Sequence, residues 1–158
     1  MLKKLRNLYY NIRNGLENLL IWLPVIWKDR DFDEYYVFKL LYKKFENMEK
    51  FFNSEFTWSA DAKKMAQEIK IAKNLVKRII DDNYLENALT EYHKKYGDLK
   101  YSFKQVEGQP NLVKLIWDES KESQKMFRRC SEHSDYMKKQ DLKYLFNYLN
   151  KNISKWWD

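Results

Sequence analysis

Three glycines and two prolines are very few for a chain of 158 residues. All-β folds are built on many tight turns, and tight turns rely on these two residues. The shortage points instead to long helices joined by few loops. A single cysteine, Cys130, excludes an internal disulfide and any multi-cysteine zinc site. It fits a reducing compartment, and a cytoplasmic location is the expectation. Long hydrophobic runs are also missing. The apolar stretch 19–27 contains Pro24 and is far too short to cross a bilayer, so no membrane span is expected. It follows Arg13 and Glu17 and lacks a small-residue cleavage site, unlike a secretory signal. There is no Gly-rich phosphate loop, no GxSxG, no HExxH, no EF-hand loop and no zinc-finger spacing. No catalytic residue, metal ligand or cofactor is therefore assigned, and a non-enzymatic protein is the first expectation.

What is present is charge and aromatic surface. Hydrophobic residues make up 44% and charged residues 34%, the balance of a globular chain rather than a disordered one. Aromatics reach 17%, and the formal net charge is +7. A basic surplus favours polyanionic partners: nucleic acid, nucleotides or an anionic membrane. It also serves solubility, and here the acids are interleaved with the bases. The length predicts one domain with a core that needs no staples.

Helical spacing of apolar residues predicts an all-α single-domain bundle of five or six helices. Residues 1–23 read as a basic amphipathic N-terminal helix, ended or kinked by Pro24. Residues 31–158 form the bundle proper. In it, Phe38, Leu41, Phe45, Met48 and Phe52 make one stripe. Ala62, Met65, Ile69, Ala72, Val76 and Ile79 make another, with Ser59 as its N-cap. A shorter helix over 85–96 stops near Gly97. Residues 98–110 read as a loop, with one helical or extended piece at 101–106. Two further segments, 111–133 and 134–157, read as one long helix or two, since no Gly or Pro divides them.

Several groups of residues carry candidate chemistry. The run "WLPVIWKDRDFDEYY" (22–36) sends two tryptophans and a proline into alternating charges. Asp31 or Asp33 is expected to cap the helix that follows, with Glu34 in its first turn. Lys28 and Arg30 are then left over beside Trp27, where they can face an anion. The chain ends in Lys155, Trp156, Trp157 and Asp158. Neighbours on a helix point about 100° apart, so both tryptophans cannot face one core. At least one is expected to be exposed, to lie at an interface, or to stack on a ligand. The candidate ligand-binding set is therefore Trp27, Lys28, Arg30, Lys155, Trp156 and Trp157. The bland alternative is that these tryptophans close the ends of a bundle. Asp31/Glu34 and Glu46/Glu49 have the one-turn carboxylate spacing of magnesium-dependent nucleotide hydrolases on helical bundles, but a facing pair is not apparent. Glu119 and Ser123 interrupt an apolar seam. Polar groups there are either satisfied in pairs or functional. His93, His133 and Cys130 carry no pattern that marks a ligand or nucleophile.

At "WKDRDFDEYY" and "KWWD", with residues 27–33 and 155–158 carrying the likeness, the sequence resembles a family of small bacteriophage proteins of unassigned activity with a tryptophan, a WKDRD-type core, an aromatic-rich helix and a KWWD-type ending. The resemblance touches both ends and leaves the middle unsupported. What it implies is context: a phage-encoded protein in the cytoplasm of a bacterial host, acting against host defence. The expected function is capture of a nucleotide-like anionic ligand between basic side chains and tryptophan faces. The competing reading is a protein-binding inhibitor or scaffold that uses exposed aromatics. Nucleic-acid binding through lysines and a homo-oligomer also stay open.

Overall fold

A computed structural model describes residues 2–28 and 35–157. The chain is predominantly helical. Among the described residues there are five α-helices, one two-stranded hairpin and a terminal 3₁₀ turn: α1 (Leu2–Ile26), α2 (Tyr35–Phe52), α3 (Ala62–Asp81), α4 (Tyr84–Tyr96), β1 (Tyr101–Val106), β2 (Gln109–Trp117), α5 (Lys121–Asn152) and a 3₁₀ helix at Ile153–Trp157. The residues divide into two compact units, one of 1–80 with 148–158, the other of 81–147.

The first unit is built on α2 and α3. Phe45, Met48 and Phe52 of α2 are buried, as are Ala62, Ala66, Ile69, Ala72, Val76 and Ile79 of α3. The a/d-like spacing on α3 puts these six on one side, and the alanines admit the bulk of facing aromatics. Leu149 and Trp156 complete this core. Lys73 of α3 is ion-paired with Glu49 of α2, both largely shielded. Ser59 does not cap α3 by its side chain. Its carbonyl accepts the Ala62 N–H at 3.3 Å, and its hydroxyl points to the Met65 sulfur at 3.9 Å.

One expectation for the N-terminal region is corrected. α1 does not stop before Pro24 but runs to Ile26, and the Trp27 N–H closes on the Leu23 carbonyl at 2.9 Å. Proline removes one intrahelical donor, and the turn after it still closes. Leu23 and Ile26 are 36% and 45% exposed, and Val25 between them is half-buried. The proposed caps Asp31 and Asp33 lie outside the described residues.

The second unit holds α4, the hairpin and most of α5. Leu89 and Tyr92 of α4 and Leu145 of α5 are buried. α4 ends where Gly97 enters the left-handed region at φ 77°, a conformation glycine adopts at no steric cost. The 111–133 segment is not one helix. Residues 109–117 form β2, antiparallel to β1, in the register Tyr101↔Trp117, Phe103↔Leu115 and Gln105↔Val113. Gly108 at φ 78° makes the tight turn. Pro110, which has no N–H for the ladder, sits where the register becomes irregular. From Lys121 the helix is continuous for 32 residues, so the two last predicted segments are one.

Candidate functional site

The net charge is unevenly divided. The second unit carries 12 Lys and Arg against 12 Asp and Glu, while the first carries 18 against 11, so the whole +7 surplus lies in the first.

In that unit, α2 and the loop after it border an open cleft of about 620 Å³. Met48, Phe52 and Trp156 line its apolar floor, and Lys44, Asn47, Thr57 and Ser59 supply polar groups. Phe51 and Trp58 stand on its rim. Trp58 is fully exposed, at 101%, and nearby in sequence Phe56 is 81% exposed. The loop that carries these rings is fastened locally. The Ser54 hydroxyl donates to the Phe51 carbonyl at 2.7 Å and accepts the Phe56 N–H at 3.3 Å. The Asn53 N–H returns to the Glu49 carbonyl at 3.1 Å.

The six residues singled out in the sequence fare differently. Trp156 is 1% exposed, so it is a core residue that borders the cleft and not an open stacking face. Its ring meets Phe45 edge-to-face at 5.8 Å, and its N–H donates to the Glu68 carboxylate at 3.1 Å. The carboxylate beside the indole also disfavours an anion there. Lys155 is exposed and donates to the Asn152 side-chain carbonyl at 3.3 Å. Trp27 is 74% exposed, and Lys28 next to it is exposed too. Arg30 and the side chain of Trp157 lie outside the described residues. Of the carboxylates with one-turn spacing, Glu46 and Glu49 are occupied by lysines, and Asp31 and Glu34 lie outside the described residues. Lys43 lies 2.7 Å and Lys50 3.5 Å from Glu46, whose carboxyl is held below the usual carboxylate range chiefly by the hydrogen bond from Lys43. Glu49 is taken by Lys73, whose ammonium is held above its ordinary pKa chiefly by that hydrogen bond. Among the described residues, no group of three or more His, Cys, Asp or Glu is placed to hold a metal ion.

In the second unit, the polar interruptions of the apolar seam prove to be paired. Glu119 accepts from the Tyr92 and Ser123 hydroxyls and, at 2.8 Å, from the Lys100 backbone N–H. The Ser120 hydroxyl accepts the Ser123 N–H at 3.2 Å and so caps α5. Hydrogen bonds from Ser123, then Tyr92, then Lys100 hold the Glu119 carboxyl below its ordinary pKa. Burial, then the Glu119 contact, pushes the Tyr92 phenol up. This knot ties α4 and the base of the hairpin to the start of α5. Asp141 is buried and accepts from the Tyr84 hydroxyl at 2.7 Å.

A second recess, of about 490 Å³, lies between Trp117 and α5. It is lined by Trp117, Phe127, Lys125 and Arg128, with Gln124 and Ser131. The Trp117 and Phe127 rings are 4.9 Å apart, and Arg128 is also ion-paired with Glu132 at 3.1 Å. No sequence pattern points to this recess, because Trp117 comes from a strand that reads as helix while Phe127 comes from α5. No protein-family model, curated protein or solved structure matches this chain.

Proposed function

We propose that the protein is a non-enzymatic binding protein whose aromatic-rimmed cleft in the first unit receives an apolar side chain from an acidic surface of a partner protein. The observation that carries this reading is the rim itself: Trp58 fully exposed beside Phe51, over an apolar floor. Aromatic side chains around a desolvating pocket are the usual anchors of protein–protein contact. The +7 surplus of this unit selects for acidity in the partner, steering encounter rather than supplying affinity. The resemblance of both chain ends to small bacteriophage proteins makes a host cytoplasmic protein, and interference with host defence, the context of this reading. Affinity capture from bacterial lysate tests it with Trp58→Ala as the control. A stoichiometric protein held by the wild type, insensitive to nuclease and lost by the variant, supports it. Equal capture by both, or none by either, removes it.

A second reading has its own observation. Trp117, Phe127, Lys125 and Arg128 put a stacking face and two cations around one recess of small-ligand size. This suits a nucleotide-like anion, at a place other than Trp27, Lys28, Arg30 and the C-terminal tryptophans. Titration calorimetry with linear and cyclic nucleotides at low salt decides it. Heat that Lys125→Ala abolishes and Trp58→Ala leaves intact favours this reading, and absence of heat ends it.

A further inference from the structure

α1 is an amphipathic helix whose apolar face is exposed among the described residues. From Lys3 to Lys28 every side chain is exposed except Trp22 and Val25, which are half-buried. At about 100° per residue, Leu5, Leu8, Ile12, Leu16, Leu19 and Leu20 fall within a stripe about 120° wide. These six are between 52% and 74% exposed. Val25 projects on the opposite side, together with Asn7, Asn11, Asn14 and Asn18, and Trp22 lies on the flank of the stripe at the azimuth of Lys4. α1 meets α2, and among its described side chains the two that are half-buried lie off the leucine stripe. The stripe therefore faces outward by construction.

We infer that this stripe docks, in the plane of the interface, onto an anionic lipid surface. Charge selects that occupant. The helix holds Lys3, Lys4, Arg6 and Arg13 against Glu17 alone, and Glu17 is already paired with Arg13 at 2.9 Å. Arg6 and Arg13 border one edge of the stripe and Lys4 the other, where long stems can lie along the apolar surface while their heads reach phosphate. A second copy of α1 would bring the same cations to the same edges, without the opposite-charge flanks that helix pairs use. The stripe is also wider than a two-helix seam. Tyr9 and Trp27, both exposed, suit the headgroup level. No described helix is long and apolar enough to cross a membrane, which agrees with a helix that lies on the surface.

Flotation of the full chain with vesicles tests this, using phosphatidylcholine alone and phosphatidylcholine containing phosphatidylglycerol. The wild type is expected to float with the anionic vesicles only, and less at high salt. Ile12→Asp with Leu16→Asp is expected to weaken that partition at least about tenfold, with the helical circular dichroism of the chain kept, because both positions are exposed. Arg6→Gln with Arg13→Gln, which leaves the stripe intact, is expected to weaken it as well and serves if the first variant fails to fold. Flotation with neither vesicle, or equal flotation of wild type and both variants, overturns the inference. So does a wild-type dimer in sedimentation equilibrium that Ile12→Asp with Leu16→Asp dissociates while vesicle binding is absent, since the stripe then belongs to a second copy.

Discussion

The indole N–H of Trp156 donates to the Glu68 carboxylate at 3.1 Å, fastening the last turn of the chain to the middle of α3. The same indole packs edge-on against Phe45. Trp156→Phe keeps an aromatic ring and removes the donor, and is expected to cost about 1–3 kcal/mol. Trp156→Ala removes the packing too and is expected to cost about 3–5 kcal/mol. Urea unfolding separates the two. A Trp156→Phe loss near zero would mean that Glu68 adds nothing beyond the ring's burial.

Ile69 is 0% and Phe45 2% exposed, at the centre of the α2–α3 core. Ala at either position leaves a cavity, and each is expected to lower stability by about 2–5 kcal/mol. Trp58→Ala, on the exposed rim of the cleft, is expected to stay within ~0.5 kcal/mol of the wild type. Thermal or urea midpoints of the three variants check the contrast, and a Trp58 loss as large as that of Ile69 would make the rim part of the core.

Hydrogen bonds from Ser123, Tyr92 and Lys100 hold Glu119 below its ordinary pKa in the folded chain. A carboxyl depressed by folding stabilises above its unfolded value, about 4.3, and loses that contribution as pH falls through the lower folded value. The second unit is therefore expected to weaken on the acid side of about pH 4. Glu119→Gln is expected to flatten that part of the acid limb, read as the urea midpoint against pH. An unchanged slope would assign the acid limb to other carboxylates.

Gly15 lies in the interior of α1, and a Cβ built there meets nothing within 4 Å. Alanine is favoured over glycine in a helix interior by about 0.8–1.0 kcal/mol. Gly15→Ala is expected to raise the helicity and the hydrogen-exchange protection of α1 without disturbing α2 or α3. Reduced protection would show that the position needs a conformation only glycine supplies.

Much of this fold is legible in the sequence, for a plain reason. α2 and α3 are buried along one side only, so a 3.6-residue period marks them. The stop at Gly97 is equally direct. The hairpin was half visible: 101–106 read as an optional extended piece, while 111–117 read as helix. Leu112, Leu115 and Ile116 satisfy helical spacing. In the hairpin, Val113, Leu115 and Trp117 share one face, and Ile116 lies on the other. Apolar residues on both faces erase the alternation that signals a strand. The cleft was harder to see. Trp58 stood out only as one tryptophan among six, in a loop where spacing carries no information. What makes it a candidate is the neighbourhood of Met48, Phe52 and Trp156, which lie far apart in sequence. Trp156 was singled out for being adjacent to another tryptophan, and adjacency says nothing about which of the two turns inward.

Lys104 and Lys114 stand directly opposite each other across the hairpin. Like charges in that relation cost stability. The ribbon has two strands, and among the described residues no third strand covers either outer edge. Edges of that kind invite addition of strands from other chains, and lysine is a common deterrent. Stacking one ribbon against another in register would crowd four ammonium groups into a single row. The hairpin thus gives up some of its own stability and gains protection against growing into a fibril. Replacing both lysines with isoleucine would steady the isolated ribbon and, by the same stroke, remove its guard.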